Sequence, residues 1–174
     1  MDKKVITELL EQKHQDLFNW LENEPEEKWM NAPEGKWTVG QHAKHLLNSI
    51  QLLNHAMSFP AFVLKYKYGS ANRELRPYDA VAKRYQEKLA ANLERAKQFN
   101  SNLKIPPIVK KEEILTSLKI QNKKLQHKTM KWKDKNLDML ILPHPLMGKM
   151  PVRELIMWTA HHTEHHLNSL KNNY

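Results

Sequence analysis

The stretch Val152-Arg-Glu-Leu-Ile-Met-Trp-Thr-Ala-His-His-Thr-Glu-His-His-Leu-Asn-Ser-Leu170 decides the fold. It contains neither glycine nor proline, and its apolar residues return at helical spacing. With Val152 at zero and about 100° per residue, Leu155, Ile156, Thr159, Thr163, Leu167 and Leu170 lie within roughly 60° of one line. Pro151 sits at the first turn, where its missing N–H costs nothing. A helix from Pro151 to about Lys171 with one such stripe must bury it against other helices.

Working outward, the spacing predicts four more helices. The first runs from Asp2 to Asn23, with Asp2 as N-cap and Val5, Ile6, Leu9, Leu10, Leu17, Trp20 and Leu21 in an interrupted stripe. The second opens at Thr38, where Thr38-Val-Gly-Gln41 fits a capping box, and ends at Pro60. Trp37 stands just before that cap and can staple the entry of the helix. Residues 61 to 77 read as irregular, with Phe62, Tyr66 and Tyr68 available to cover one end of a bundle. A third helix follows over Tyr78 to Phe99 and a fourth over Lys110 to Lys131, separated by Ile105-Pro-Pro107. A turn-rich connection from Asn136 to Met150 leads into the last helix. Long helices joined this way are expected to pack as an antiparallel bundle, a single all-α domain over residues 1–174.

The bulk composition agrees. The 174 residues hold only four glycines and no cysteine, which leans to helix and excludes disulfides and thiolate metal sites. No stretch approaches the roughly 18 apolar residues that span a bilayer, and no signal-peptide segment opens the chain, so a soluble cytoplasmic protein with no membrane partner is expected. The formal net charge of +9 is concentrated between Lys110 and Lys135, where nine lysines face Glu112, Glu113 and Asp134. This segment has one aromatic residue, Trp132, and no nucleic-acid motif, so it reads as a solvated helix face and not as a nucleic-acid site.

The chemistry lies in the histidines. Four of the ten fall within six residues, at 161, 162, 165 and 166, as two i, i+4 pairs able to clamp a metal. His162 and His166 fall at about −80° and −40°, on the edge of the apolar stripe, whereas His161 and His165 fall at about 180° and −140° and are expected to face solvent or a loop. Glu164 points away from the stripe, which argues against it as a ligand. Thr163 follows His162, so this is not the zincin motif HExxH. A further ligand has to come from elsewhere, and the second helix offers His42 and His45. With Val39 at zero these lie at about −60° and −120°. Periodicity favours His42 as the inward residue, while a seam between helices suits the marginal His45; geometry leaves both open.

Two blocks resemble the DinB/YfiT-like superfamily: Trp37-Thr-Val-Gly-Gln-His-Ala-Lys-His-Leu46, and His144-Pro-Leu-Met-Gly148 followed by Val152-Arg-Glu-Leu155 and His162-Thr-Glu-His-His-Leu167. The resemblance implies a four-helix bundle with an additional helical segment, often dimeric, carrying a three-histidine divalent-metal site at one end. Matched by position, the metal ligands are His45, His162 and His166. His42 becomes a neighbour of the site, and His144 a turn or packing residue.

Three imidazoles leave coordination positions open, the layout of a catalytic and not a structural metal site. Zinc or nickel there could activate a water or a thiol. The resemblance implies small-molecule substrates and, in some members, S-transfer or isomerisation with low-molecular-weight thiols such as bacillithiol or mycothiol. Without a cysteine, this chain would need an external thiol. His42 is the best-placed base, and Tyr66 and Tyr68 are candidates to line the pocket. The alternatives are a non-catalytic bundle with a binding or stress-response role and, more weakly, a nucleic-acid-binding protein.

Overall fold

The computed structural model describes residues 1–99 and 101–174. Its core is built from α1 (Lys3–Asn23), α3 (Val39–Ala56), α7 (Lys111–Lys131) and α9 (Val152–Asn173). The caps read from the sequence form. Asp2 accepts from the Val5 amide at 3.0 Å, and the Thr38 hydroxyl accepts from the Gln41 amide at 3.1 Å while the Gln41 side chain accepts from the Thr38 amide at 3.0 Å. The fold is all-α, with a single small hairpin among the described residues.

Side-chain contacts fix the direction of each helix. Lys3 reaches the carbonyls of Met130 and Trp132 while Glu22 pairs with Lys119, so α1 and α7 run antiparallel. Arg153 binds the Met1 carbonyl and Lys13 binds Glu164, so α1 and α9 run parallel. His42 meets His166 and His45 meets His162, so α3 opposes α9. The bundle is therefore up-down-down-up, with α3 parallel to its neighbour α7, and the wholly antiparallel expectation is corrected. Parallel neighbours cannot be joined by a short loop. The chain from Met57 to Lys110 makes the crossover, through α4 (Ala61–Tyr68), α5 (Tyr78–Ala91), α6 (Leu93–Phe99) and a turn of 3-10 helix at Ile108–Lys110.

Other segments also differ from the sequence reading. Residues Ala61–Tyr68 are helical, not irregular, and Gly69 ends the helix at φ +91°, a conformation glycine adopts without strain. The third helix breaks at Asn92, whose side chain donates back to the Lys88 carbonyl at 2.8 Å. A short helix, α2 (Glu27–Met30), lies in the first loop. The turn-rich connection is a helix, α8 (Asp134–Met139), and an antiparallel hairpin of β1 (Ile141–His144) and β2 (Gly148–Pro151), paired Ile141 with Pro151 and His144 with Gly148.

These additions explain the burial of α9. Every residue from Val152 to Thr163 is buried, because α5, α8 and the hairpin cover the face that α1 and α3 leave open. The charged groups on that face are paired. Glu154 is fully buried, its carboxylate gripped by Arg73 at 2.6 and 2.7 Å and by the Arg76 amide at 2.8 Å. Burial alone would raise its pKa, but Arg73 and Arg76 outweigh that and hold it below the ordinary value. Arg153, also buried, is held by Asp138 and Asp134.

Candidate metal centre

The site is built where the first turns of α3 meet the last third of α9. The N-terminus of α3 is placed by a close approach at Gly40, where a Cβ would lie 2.8 Å from the Trp29 carbonyl oxygen and 2.9 Å from Pro106. Trp29 is itself buried and donates its indole N–H to the Pro106 carbonyl at 3.0 Å. Only glycine lets α2 and the chain at Pro106 close over the start of α3. This seating sets the height at which His42 and His45 face α9.

His45, His162 and His166 converge. One nitrogen from each lies within 4.8 Å of the other two, and no other group of three or more His, Cys, Asp or Glu among the described residues does this. The His162 Nε2 is 3.1 Å from the His45 Nε2 and 3.0 Å from the His166 Nε2. Tetrahedral zinc with bonds of about 2.0–2.1 Å sets neighbouring nitrogens about 3.3 Å apart, so little movement is needed for ligation. His162 and His166 are buried, while His45 is half-buried and forms the accessible edge. Burial first, and then the neighbouring imidazoles, hold His162 and His166 well below the ordinary histidine value. Neutral rings keep lone pairs for a cation. Three unprotonated ring nitrogens within 4.8 Å of one another would repel without positive charge between them, which is the fit of this donor set to a metal.

The surrounding rings orient the three. The His42 Nδ1 lies 2.8 Å from the His166 Nδ1. Were His166 to hold a cation through Nε2, its Nδ1–H would donate to His42, fixing the ring and the tautomer. Burial, reinforced by His45 and His165, lowers His42 to about 4, so its ring is neutral at pH 7 and able to accept. Trp158, one turn before His162, stacks on it at 4.4 Å between centroids and 19° between planes. The His162 Nδ1 is buried without a hydrogen-bond partner. His144 serves the turn as expected: its Nδ1 accepts from the Leu146 and Met147 amides at 3.1 and 3.0 Å, and its ring packs on Trp158.

Two expectations fail here. His161 is buried and not at the surface, because α5 lays Tyr78 and Tyr85 against it; His165 is half-buried, with its ring against Tyr85 and His166. Neither belongs to the converging trio. Tyr66 does not line a pocket, being 94% exposed, and Tyr68 is half-buried and packs on the core beside α4. The tyrosine and tryptophan rings that do meet the trio are Tyr85, Trp158 and Trp37. Trp37 is the residue whose part in the site the sequence reading missed: beyond standing before the cap, its ring lies 5.1–5.9 Å from those of His45, His42 and His166. Its position directly before the capping box that positions His42 and His45 was the available signal. Glu164 turns away as expected, binding Lys13 at 2.6 Å.

The sequence model of the DinB superfamily matches residues 9–170, nearly the whole chain. The chain belongs to the DinB superfamily. Proteins of this superfamily bind metals, and the three converging histidines of this member could hold one. No curated protein and no solved structure is a match to it. No described helix is long and apolar enough to cross a membrane.

Proposed function

We propose that this DinB-superfamily protein holds a divalent cation, zinc or nickel, on His45, His162 and His166 and acts on a small molecule, as a thiol-dependent S-transferase or a hydrolase. The observation that carries this reading is the convergence of the three ring nitrogens, with no carboxylate among them. A metal bound there supplies Lewis acidity, lowering the pKa of a coordinated thiol or water. The protein's own residues do the rest. His162 and His166 are held by the rigid α9, and His42 fixes the tautomer of His166 through its Nδ1. Trp158 and Tyr85 wall the inner side against water, both being buried. Ligands approach along the half-buried His45 edge. The chain has no cysteine, so a thiol reactant comes from a low-molecular-weight cofactor.

Elemental analysis of untagged protein tests the reading. One equivalent of zinc or nickel is expected in the wild type. His45→Ala, His162→Ala and His166→Ala should each lose most of it, while His161→Ala and His165→Ala retain it. Equal metal content in all five variants would refute the ligand set. Turnover is then sought with the metal-loaded protein, a panel of thiols and electrophilic substrates.

A further inference from the structure

Two indoles flank the three histidines, and they differ in what they offer. Trp158 is 8% exposed, stacked on His162, and its Nε1 is buried without a partner, so nothing entering from solvent meets it. Trp37 is half-buried, so part of its ring meets solvent. Its ring is nearly parallel to His166, at 8° and 5.9 Å between centroids, and edge-on to His45 at 5.1 Å. Its Nε1–H donates to none of the described residues. His45 is the one half-buried member of the trio, and Trp37, also half-buried, packs edge-on against its ring, so the two together form the edge of the site that solvent reaches.

The loop bearing this indole is tied down. The Tyr174 hydroxyl donates to the Trp37 carbonyl at 2.7 Å, and Lys28 lies over the Tyr174 ring at 5.8 Å. Thr38, the next residue, is fixed by the capping box. A large aromatic face held from both sides at the mouth of a metal site is pre-organised for stacking, so little conformational entropy is lost when a ligand meets it.

We infer that Trp37 is the specificity-determining wall of the site, selecting small molecules that carry a flat conjugated or aromatic group next to their metal-binding atoms, with Tyr174 as the residue that positions it. The inference rests on the metal reading above. The indole would offer its π-face to a ligand held on the three histidines, and offset or edge-on stacking rewards an aromatic ring over an aliphatic group of the same donor chemistry.

The test uses Co2+, whose visible absorption reports its ligands, and two hydroxamates with the same chelating group, benzohydroxamate and acetohydroxamate. Both are titrated into Co2+-loaded wild-type, Trp37→Leu, Trp37→Phe and Tyr174→Phe proteins. The wild type should prefer benzohydroxamate. That preference should shrink about 3- to 10-fold in Trp37→Leu, the worth of one aromatic pair, and survive largely in Trp37→Phe. Tyr174→Phe keeps the indole and removes only the hydroxyl's hydrogen bonds to the Trp37 and Asn31 carbonyls, and an intermediate loss is expected there. Co2+ affinity should be similar in all four proteins. A preference unchanged in both Trp37→Leu and Tyr174→Phe, with Co2+ bound, overturns the inference and leaves the metal reading standing. Failure of the wild type to take up Co2+ overturns both.

Discussion

His14 gives the fold a dependence on pH that can be isolated from the metal centre. It lies on the inner face of α1, 1% exposed, with its Nδ1–H donating to the Leu10 carbonyl at 2.8 Å. Burial, only partly offset by that hydrogen bond and by Glu11, lowers its pKa from 6.5 to about 4. The unfolded chain therefore takes up a proton near pH 6.5 that the folded chain refuses until about pH 4. Stability from this residue is complete above the unfolded value, falls between the two and is level below the folded one. At about 1.36 kcal/mol per pH unit, the full gap from 6.5 to about 4 corresponds to about 3 kcal/mol, and the part lost by pH 5 to about 2 kcal/mol. His14→Leu fills the same space without a titrating group. The Leu10 carbonyl keeps its backbone partner in the helix, so stability at pH 7.5 should change by no more than about 1 kcal/mol. Urea unfolding of both proteins in excess chelator, at pH 7.5 and pH 5.0, measures the effect. The variant should be less acid-sensitive by about 2 kcal/mol over that range. Parallel losses in the two proteins would refute the reasoning, because His14 would then titrate alike folded and unfolded.

Two further substitutions probe the supports of the site. Gly40→Ala drives a methyl into the Trp29 carbonyl and Pro106, contacts that cannot both yield, and should cost about 1–3 kcal/mol by chemical denaturation; unchanged stability would mean that the start of α3 is loosely seated. Glu154→Gln keeps the shape but leaves Arg73 and Arg76, each about a third exposed, without their counter-charge. A loss of about 2–3 kcal/mol is expected, with faster proteolysis between Gly69 and Pro77, and a protein as stable and as resistant as wild type would count against the ion pair as the anchor of that segment.

Much of the architecture is legible in the sequence because local chemistry decides it. Asp2 and the Thr38/Gln41 box start α1 and α3 where they should, and the stripe of α9 places His162 and His166 inward. What periodicity cannot convey is which elements arrive to cover a second face. Glu154 lies on the same side of α9 as His161, and with Arg73 and Arg76 neutralising it from a distant segment that side is buried where the stripe alone pointed to solvent or a loop. Helix direction is equally hidden, since an amphipathic stripe is the same read up or down; only the length of the crossover between Met57 and Lys110 hinted that α3 and α7 run the same way. For the ligands, geometry left His42 and His45 undecided, and the resemblance chose His45. The structure brings both to α9, with His42 against the far nitrogen of His166.

The spacing of His45 and His162 along the chain has a consequence for assembly. They are 117 residues apart and reach one another only after the crossover has wrapped the bundle. A cation gripped by both would act as a removable staple across that long loop, opposing the separation of α3 from α9 much as a cross-link does. The pair on α9 could meet a cation early, but the full set of three would exist only once the last helix had docked on α3, so the tightest grip would come with the final step of folding.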